Sequence, residues 1–247
     1  MNMKKTVFVL TVVWALTGQA GLFAQTPTAQ EILAFVDGNG VYESIQYDGE
    51  MIIEIGSRKT VKTMKVWARG TTDSFIEFTN SSDRGAKYLK TKGSLRAWTP
   101  DVERVVVITG KDRFMGSDLS FEDTMENGAL TERYDAALTG TETYNGRQCW
   151  VLELKVKPSR TESYPKRRLW IDTATHDLLH YELYALSGAV SKEYSILRVE
   201  EIGGRRFPVE LEVRDRTRQN SKTSFIMRNI RIDEPIPDSV FSEQNLR

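Results

Sequence analysis

Apolar positions change their spacing several times along this chain, and each change marks a different kind of element. Lys4 and Lys5 precede an apolar run from Thr6 to Leu16, and small residues follow it. Secretory leaders have that order. A bilayer span takes about 20 apolar residues, and Thr17, Gly18 and Gln19 cut this run short, so export with cleavage is expected rather than anchoring. Cleavage is expected between Ala24 and Gln25, giving a leader over 1–24 and one mature domain over 25–247, with Ala20 as a second candidate site. Ile32, Leu33, Phe35 and Val36 then recur at helical spacing behind Thr28, which can cap them, and Gly38, Asn39 and Gly40 end the run. One amphipathic helix is predicted there.

From Gly49 onward, β-branched and aromatic residues come in runs broken about every eight to twelve residues by Gly, Asn, Asp or Pro, the texture of a many-stranded antiparallel sheet. Strands are predicted over 49–57, 60–68, 73–79, 86–92, 95–99 and 104–108. Residues 110–133 break the rhythm, with Met115, Leu119, Phe121, Met125 and Leu130 among acidic and small residues, and read as a loop with short helices. Strands resume over 134–143, 149–157, 167–172, 178–185, 191–199, 207–215 and 221–233, with turn signals such as Asn145-Gly146 and Gly203-Gly204 between them. A sheet of about a dozen twisted strands must close, split or cover its concave face. The helix and the middle segment are the covers available. Met51 to Ile53 and Val105 to Ile108 are apolar at both parities, which predicts burial on both faces there, whereas 206–215 alternates and should show one face to water.

Composition narrows the functions. Basic and acidic residues number 34 each, and loss of Lys4 and Lys5 with the leader leaves 32 against 34, a net charge near −2 that asks for no nucleic acid. Cys149 is the single cysteine, so there is neither an internal disulfide nor a lipidation site at the cleavage point, and its apolar neighbours make it a buried strand residue. His176 and His180 stand four apart with Asp172, Asp177 and Glu182 nearby, but in a strand that offset spans about 13 Å, so no metal is expected. No nucleophile elbow or matched catalytic set is present; neither a cofactor nor an enzymatic activity is expected. The basic residues Lys166-Arg167-Arg168, Arg205-Arg206 and Arg214 to Arg218 fit acidic lipid headgroups, a docking partner or simply solvated strand ends.

One ordered series carries a resemblance: Lys87-Tyr88-Leu89, Leu95, Trp98-Thr99-Pro100, Arg104-Val105, then Met115-Gly116-Ser117-Asp118-Leu119-Ser120-Phe121-Glu122-Asp123. Gly146, Cys149-Trp150-Val151-Leu152-Glu153, Leu169-Trp170-Ile171-Asp172 and Pro237-Asp238-Ser239-Val240-Phe241-Ser242 continue it. It resembles the periplasmic outer-membrane lipoprotein-sorting, or lipoprotein-carrier, family, in the broader branch with a Met-Gly-Ser-Asp segment. The resemblance implies a mainly β, α+β fold: an incomplete antiparallel β-barrel of about 11–13 strands wrapped over a helical lid, with a hydrophobic cavity. It implies a periplasmic carrier of lipoprotein or lipid acyl chains toward the outer membrane, with an inner-membrane donor and an outer-membrane acceptor, and transient contact with membrane surfaces. The alternative is an accessory subunit of an inner-membrane transporter of the resistance-nodulation-division type, without lipid cargo. The arginine that holds the family's lid has no assigned counterpart here; Arg58, Arg69 and Arg96 are the candidates.

A carrier needs adaptable, bulky walls. Met64 and Met115, with Met125 and Met227, supply polarisable flexible side chains. Trp67, Phe75, Phe78, Tyr88, Trp98, Trp150 and Trp170 supply large ones, and Leu119 and Phe121 should point inward. Taken singly, each is better read as ordinary core than as cavity wall, since parity alone does not tell which face is concave. Met115, Gly116, Ser117 and Asp118 are read as the lid segment, with Met115 and Gly116 turning the chain and Ser117 or Asp118 capping a short helix; a rigid loop is the alternative. Glu122, Asp123 and Glu126 would favour that helix's dipole.

Overall fold

The computed structural model describes residues 26–246 apart from 102, 125 and 127, so the expected leader, its cleavage point and Met125 lie outside the described residues. Helix α1 (Ala29–Gly40) begins at a full capping box, Thr28 accepting from the Glu31 backbone while the Glu31 carboxylate accepts from the Thr28 backbone. Six strands follow: β1 (Ser44–Ile55), β2 (Arg58–Arg69), β3 (Asp73–Phe78), β4 (Lys87–Thr91), β5 (Ser94–Trp98) and β6 (Val105–Val107). The middle segment holds one 3-10 turn (Phe114–Gly116) and the short helices α2 (Phe121–Thr124) and α3 (Leu130–Arg133). The second run is β7 (Tyr134–Tyr144), β8 (Arg147–Val156), β9 (Lys166–Asp172), β10 (Leu178–Tyr184), β11 (Val190–Ile202), β12 (Arg205–Asp215) and β13 (Ser221–Ile232). A second 3-10 turn (Asp238–Phe241) and helix α4 (Glu243–Leu246) end the chain.

All the strands join one antiparallel 13-stranded sheet in the order β6-β5-β4-β3-β2-β1-β13-β12-β11-β10-β9-β8-β7. Each hairpin lays a strand beside its predecessor, giving two meanders, β1–β6 and β7–β13, and the pairing of β1 with β13 joins them. The sheet curls without closing, so β6 and β7 remain edges. That edge position corrects the expectation for Val105 to Ile108. With a neighbour on one side only, β6 is not buried on both faces, and Val107 is 76% exposed. The predicted alternation of 206–215 holds, with Phe207, Val209 and Val213 buried on one parity.

Register assigns the faces. Met64 pairs with Phe78, Val66 with Ile76 and Ile76 with Tyr88, and all of them join the large core on the concave side. The opposite parity, Trp67 with Phe75 and Phe75 with Leu89, lies on the convex side, where the C-terminal segment covers it with Ile236, Phe241 and Leu246. Over β7–β9, α1 buries Ile32, Leu33 and Val36 against Tyr134, Leu152, Leu154, Leu169 and Ile171. Over β3 and β4, Phe114 and Phe121 from the middle segment pack on Phe78 and Tyr88 with ring centroids 5.1–6.0 Å apart. Among the described residues, no helix is long and apolar enough to cross a membrane.

The interior is tight at Gly49, where a Cβ would stand 3.1 Å from Met64 Cγ and 3.2 Å from Phe225 Cζ. Gly49→Val forces both side chains off their positions, and a loss of about 1–3 kcal/mol in urea unfolding is expected, typical of overpacking. A neutral result would show that this part of the core yields.

Candidate functional site

The middle segment enters the concave side as a wedge. Met115 (φ 53) and Gly116 (φ 80) turn the chain in consecutive left-handed conformations, and the Tyr88 hydroxyl donates to Met115 Sδ at 2.9 Å. The side chain of Asp118, a residue only 1% exposed, accepts from Ser221 Oγ at 2.5 Å and Thr223 Oγ1 at 3.0 Å. Arg218 donates to the Gly116 carbonyl at 2.8 Å, and Arg113 pairs with Asp215. Bound to β13 in this way, Asp118 does not cap the following helix. Ser120 does, exchanging hydrogen bonds with Asp123, which corrects the expected cap at Ser117 or Asp118.

Helix α1 has its polar ties to the rest of the fold at its C-terminal end. The Asp37 carboxylate accepts from Leu130 N, Thr131 N and Thr131 Oγ1, capping α3, while Arg205 donates to the Val41 carbonyl. On its flank, Phe35 stacks on His176 at 4.1 Å, and His176, at φ 60 in the β9–β10 turn, stacks in turn on Trp150. Beneath α1 lies a cavity of about 300 Å³. Val36, Leu169, Tyr181, Ile196, Phe207 and Leu211 give it largely apolar walls.

A second cavity, of about 470 Å³, opens below the middle segment with Lys90, Lys111, Glu122 and Glu162 in its lining. The two share Asp123, Glu126, Arg133 and Arg167. Those shared residues form an ionic partition in which Asp123 and Arg167 are buried while the Glu126 side chain keeps partial contact with solvent. Arg167 Nη2 lies 2.5 Å from Glu126 and its Nε donates to Tyr134 Oη at 2.9 Å, while Arg133 bridges Glu126 and Glu162. Asp123 pairs with Lys192 and accepts from the Tyr164 hydroxyl at 3.0 Å. Burial works against ionising Glu126, yet Arg167 and Arg133 together hold its carboxyl below the ordinary value. Burial also opposes the Arg167 charge, and Glu126 and Tyr134 more than restore it. Burial lowers the pKa of Lys90.

The sequence-selected residues divide among these environments. Phe121 lines the second cavity, and none of the others lines the apolar one. Met64, Phe78, Tyr88 and Leu119 sit in the core around the wedge, with Met115 packed against it, and Trp150 lies beneath α1. Trp67, Phe75 and Trp98 face the convex side under the C-terminal segment. Trp170 faces that side too, stacked under Arg168 and donating from Nε1 to Glu142. Arg69 and Arg96 likewise pair with Asp238 and Glu243 of the C-terminal segment, away from α1, and Arg58 is exposed. The basic run at 166–168 is no continuous patch, because strand alternation turns Arg167 inward while Lys166 and Arg168 pair outside with Glu153 and Glu142. The cavity walls Leu211 and Phe207 were readable from the alternation of β12. Ile196 was hidden by a bulge between Ile196 and Arg198 that resets the parity of β11.

Glu126→Gln leaves two largely buried guanidinium groups short of a charged partner, although Arg133 keeps Glu162 and Arg167 keeps Tyr134, and a loss of about 1–2 kcal/mol at neutral pH is expected. Because the folded-state pKa of Glu126 is depressed, its contribution is present above the ordinary carboxylate range and lost as pH falls through the folded value. The gap between parent and variant should therefore shrink in urea titrations at about pH 3 relative to pH 7; a constant gap would remove the ionic account of the partition.

A protein-family model described as "Uncharacterized protein" matches residues 70–247. No curated protein matches the chain. Among solved structures, a DUF1329 family protein from Desulfovibrio piger is 22% identical with a TM-score of 0.79, over 89% of this chain and 98% of that one. A LolA superfamily protein from Nitrosomonas europaea is 20% identical with a TM-score of 0.74, over 90% of this chain and 100% of that one. A putative outer-membrane lipoprotein-sorting protein domain from Vibrio parahaemolyticus is 21% identical with a TM-score of 0.72, over 88% and 96%. At such identities the likeness is one of fold. The chain belongs to the family whose model spans residues 70–247, and its fold is the open barrel of the LolA superfamily.

Proposed function

We propose that this protein is a periplasmic, non-enzymatic carrier that holds an acyl chain of a lipid or lipoprotein beneath α1 during passage toward the outer membrane. The apolar cavity between α1 and the concave sheet carries this reading. Support comes also from the leader pattern at Lys4 to Leu16 and from structural relatives named for lipoprotein sorting. Exposing a chain costs about 0.8 kcal/mol per methylene, so one of about 16 carbons needs on the order of 10 kcal/mol of shelter to cross water. A cavity of about 300 Å³ is at the small end of ligand pockets, which hold one such group rather than several. Cargo with more chains requires α1 to swing.

The attachments of α1 favour that motion about its C-terminal end, where Asp37 and Val41 are bonded, while the wedge at Met115 to Asp118 stays fixed to β13. In this reading α1 is the moving cover and the middle segment the fixed floor. Residues 25–247 then act as one unit, loaded by an inner-membrane donor and unloaded at an outer-membrane acceptor.

Native mass spectrometry and lipid extraction on protein purified from the periplasm without detergent should reveal bound acyl lipid. Leu211→Trp, which fills the cavity, should cut that lipid by about tenfold or more with circular dichroism unchanged. Lipid-free protein that also refuses a fluorescent fatty acid would overturn the carrier reading and favour the transporter-accessory role.

A further inference from the structure

The ionic partition is an unusual wall for a cavity that takes only a hydrocarbon chain. Asp123, Glu126, Arg133 and Arg167 line both cavities, so a chain lying beneath α1 with one end there stands where the apolar space meets the charged one. Whatever the chain is attached to must therefore stand among charges of both signs. We infer that the ligand is a single-chain amphiphile with a zwitterionic head, of the lysophospholipid type, with its chain beneath α1 and its head in the second cavity. This rests on the carrier reading and names its ligand class.

Three observations select that class. The apolar cavity, at about 300 Å³, suits one chain, while the adjoining one is larger, at about 470 Å³, so the bulk of the ligand beyond the chain lies on the polar side. The lining of the second cavity carries cations and carboxylates in equal number, its rim adding Lys90 and Lys111 on one hand and Glu122 and Glu162 on the other. A bare carboxylate head emerging beside Asp123 and Glu126 would meet like charge whose cations, Lys192, Arg133 and Arg167, are already engaged, which is costly. A head with a cation and an anion on adjacent atoms can set each against its opposite. The partition itself is already internally paired, so it tolerates a neutral pair of charges better than a net one.

The test uses the full mature chain after lipid removal, titrated calorimetrically with lysophosphatidylethanolamine and with palmitate, each below its aggregation threshold. Lysophosphatidylethanolamine should bind about tenfold or more tightly than palmitate. Glu122→Lys, at the cavity rim, should weaken lysophosphatidylethanolamine and tighten palmitate, because it tips the balanced lining toward positive charge. Leu211→Trp should abolish both. Palmitate binding as well as or better than the lysolipid, with Glu122→Lys moving neither, would overturn the zwitterion inference and leave the carrier reading standing. Failure of both ligands, together with lipid-free protein from the periplasm, would overturn the carrier reading itself.

Discussion

Twist in a long antiparallel sheet sets the terms for this molecule. Strands that pair in simple hairpin order accumulate a curl, and here the curl stops short of joining β6 to β7, leaving a concave apolar face that the strands alone cannot cover. Two separate pieces of chain cover it. The wedge from Phe114 to Phe121 fills the half over β3 and β4 with aromatic rings, and α1 roofs the half over β7–β9. Because the pieces meet imperfectly, the interior has space, and that space becomes the candidate site.

The two covers are attached in different ways, and this difference gives the site its character. The wedge is fixed by a buried carboxylate and two hydroxyls, a polar set that is stable only while complete. The roof rests on apolar contacts and a ring stack along its length, with polar ties gathered at one end. Between them stands the Arg133–Glu126–Arg167 cluster, whose charges are far more expensive to bury than leucines would be. An apolar core would have been the simpler filling; the cluster makes the inside of this barrel chemically two-sided.

Much of this was legible in the chain. The cap at Thr28, the thirteen strands and the interruption at 110–133 follow from spacing and turn residues, because those signals are local. The faces were harder to assign. Trp67, Phe75, Trp98 and Trp170 have the bulk expected of cavity walls, yet both sides of this sheet are partly covered, and the C-terminal segment uses the convex side as a second small core. Bulk identifies burial without identifying which side. Arg167 was read as part of a basic surface run because its partner Glu126 is 41 positions away in sequence, and only the folded register turns it inward.

The single seam between β1 and β13 also governs when this protein can finish folding. Ile45 pairs with Ile232, and Gln46 with Arg231, partners from opposite ends of the chain. The hairpins of each meander can form from neighbours, but the join between them must wait until nearly the whole chain is available, and contacts of such long range form slowly. A chain made from its N-terminus thus presents β1 as an open edge until β13 arrives. Such unpaired edges invite aggregation, so the stretch of synthesis before β13 emerges is the one in which the chain is most exposed to it.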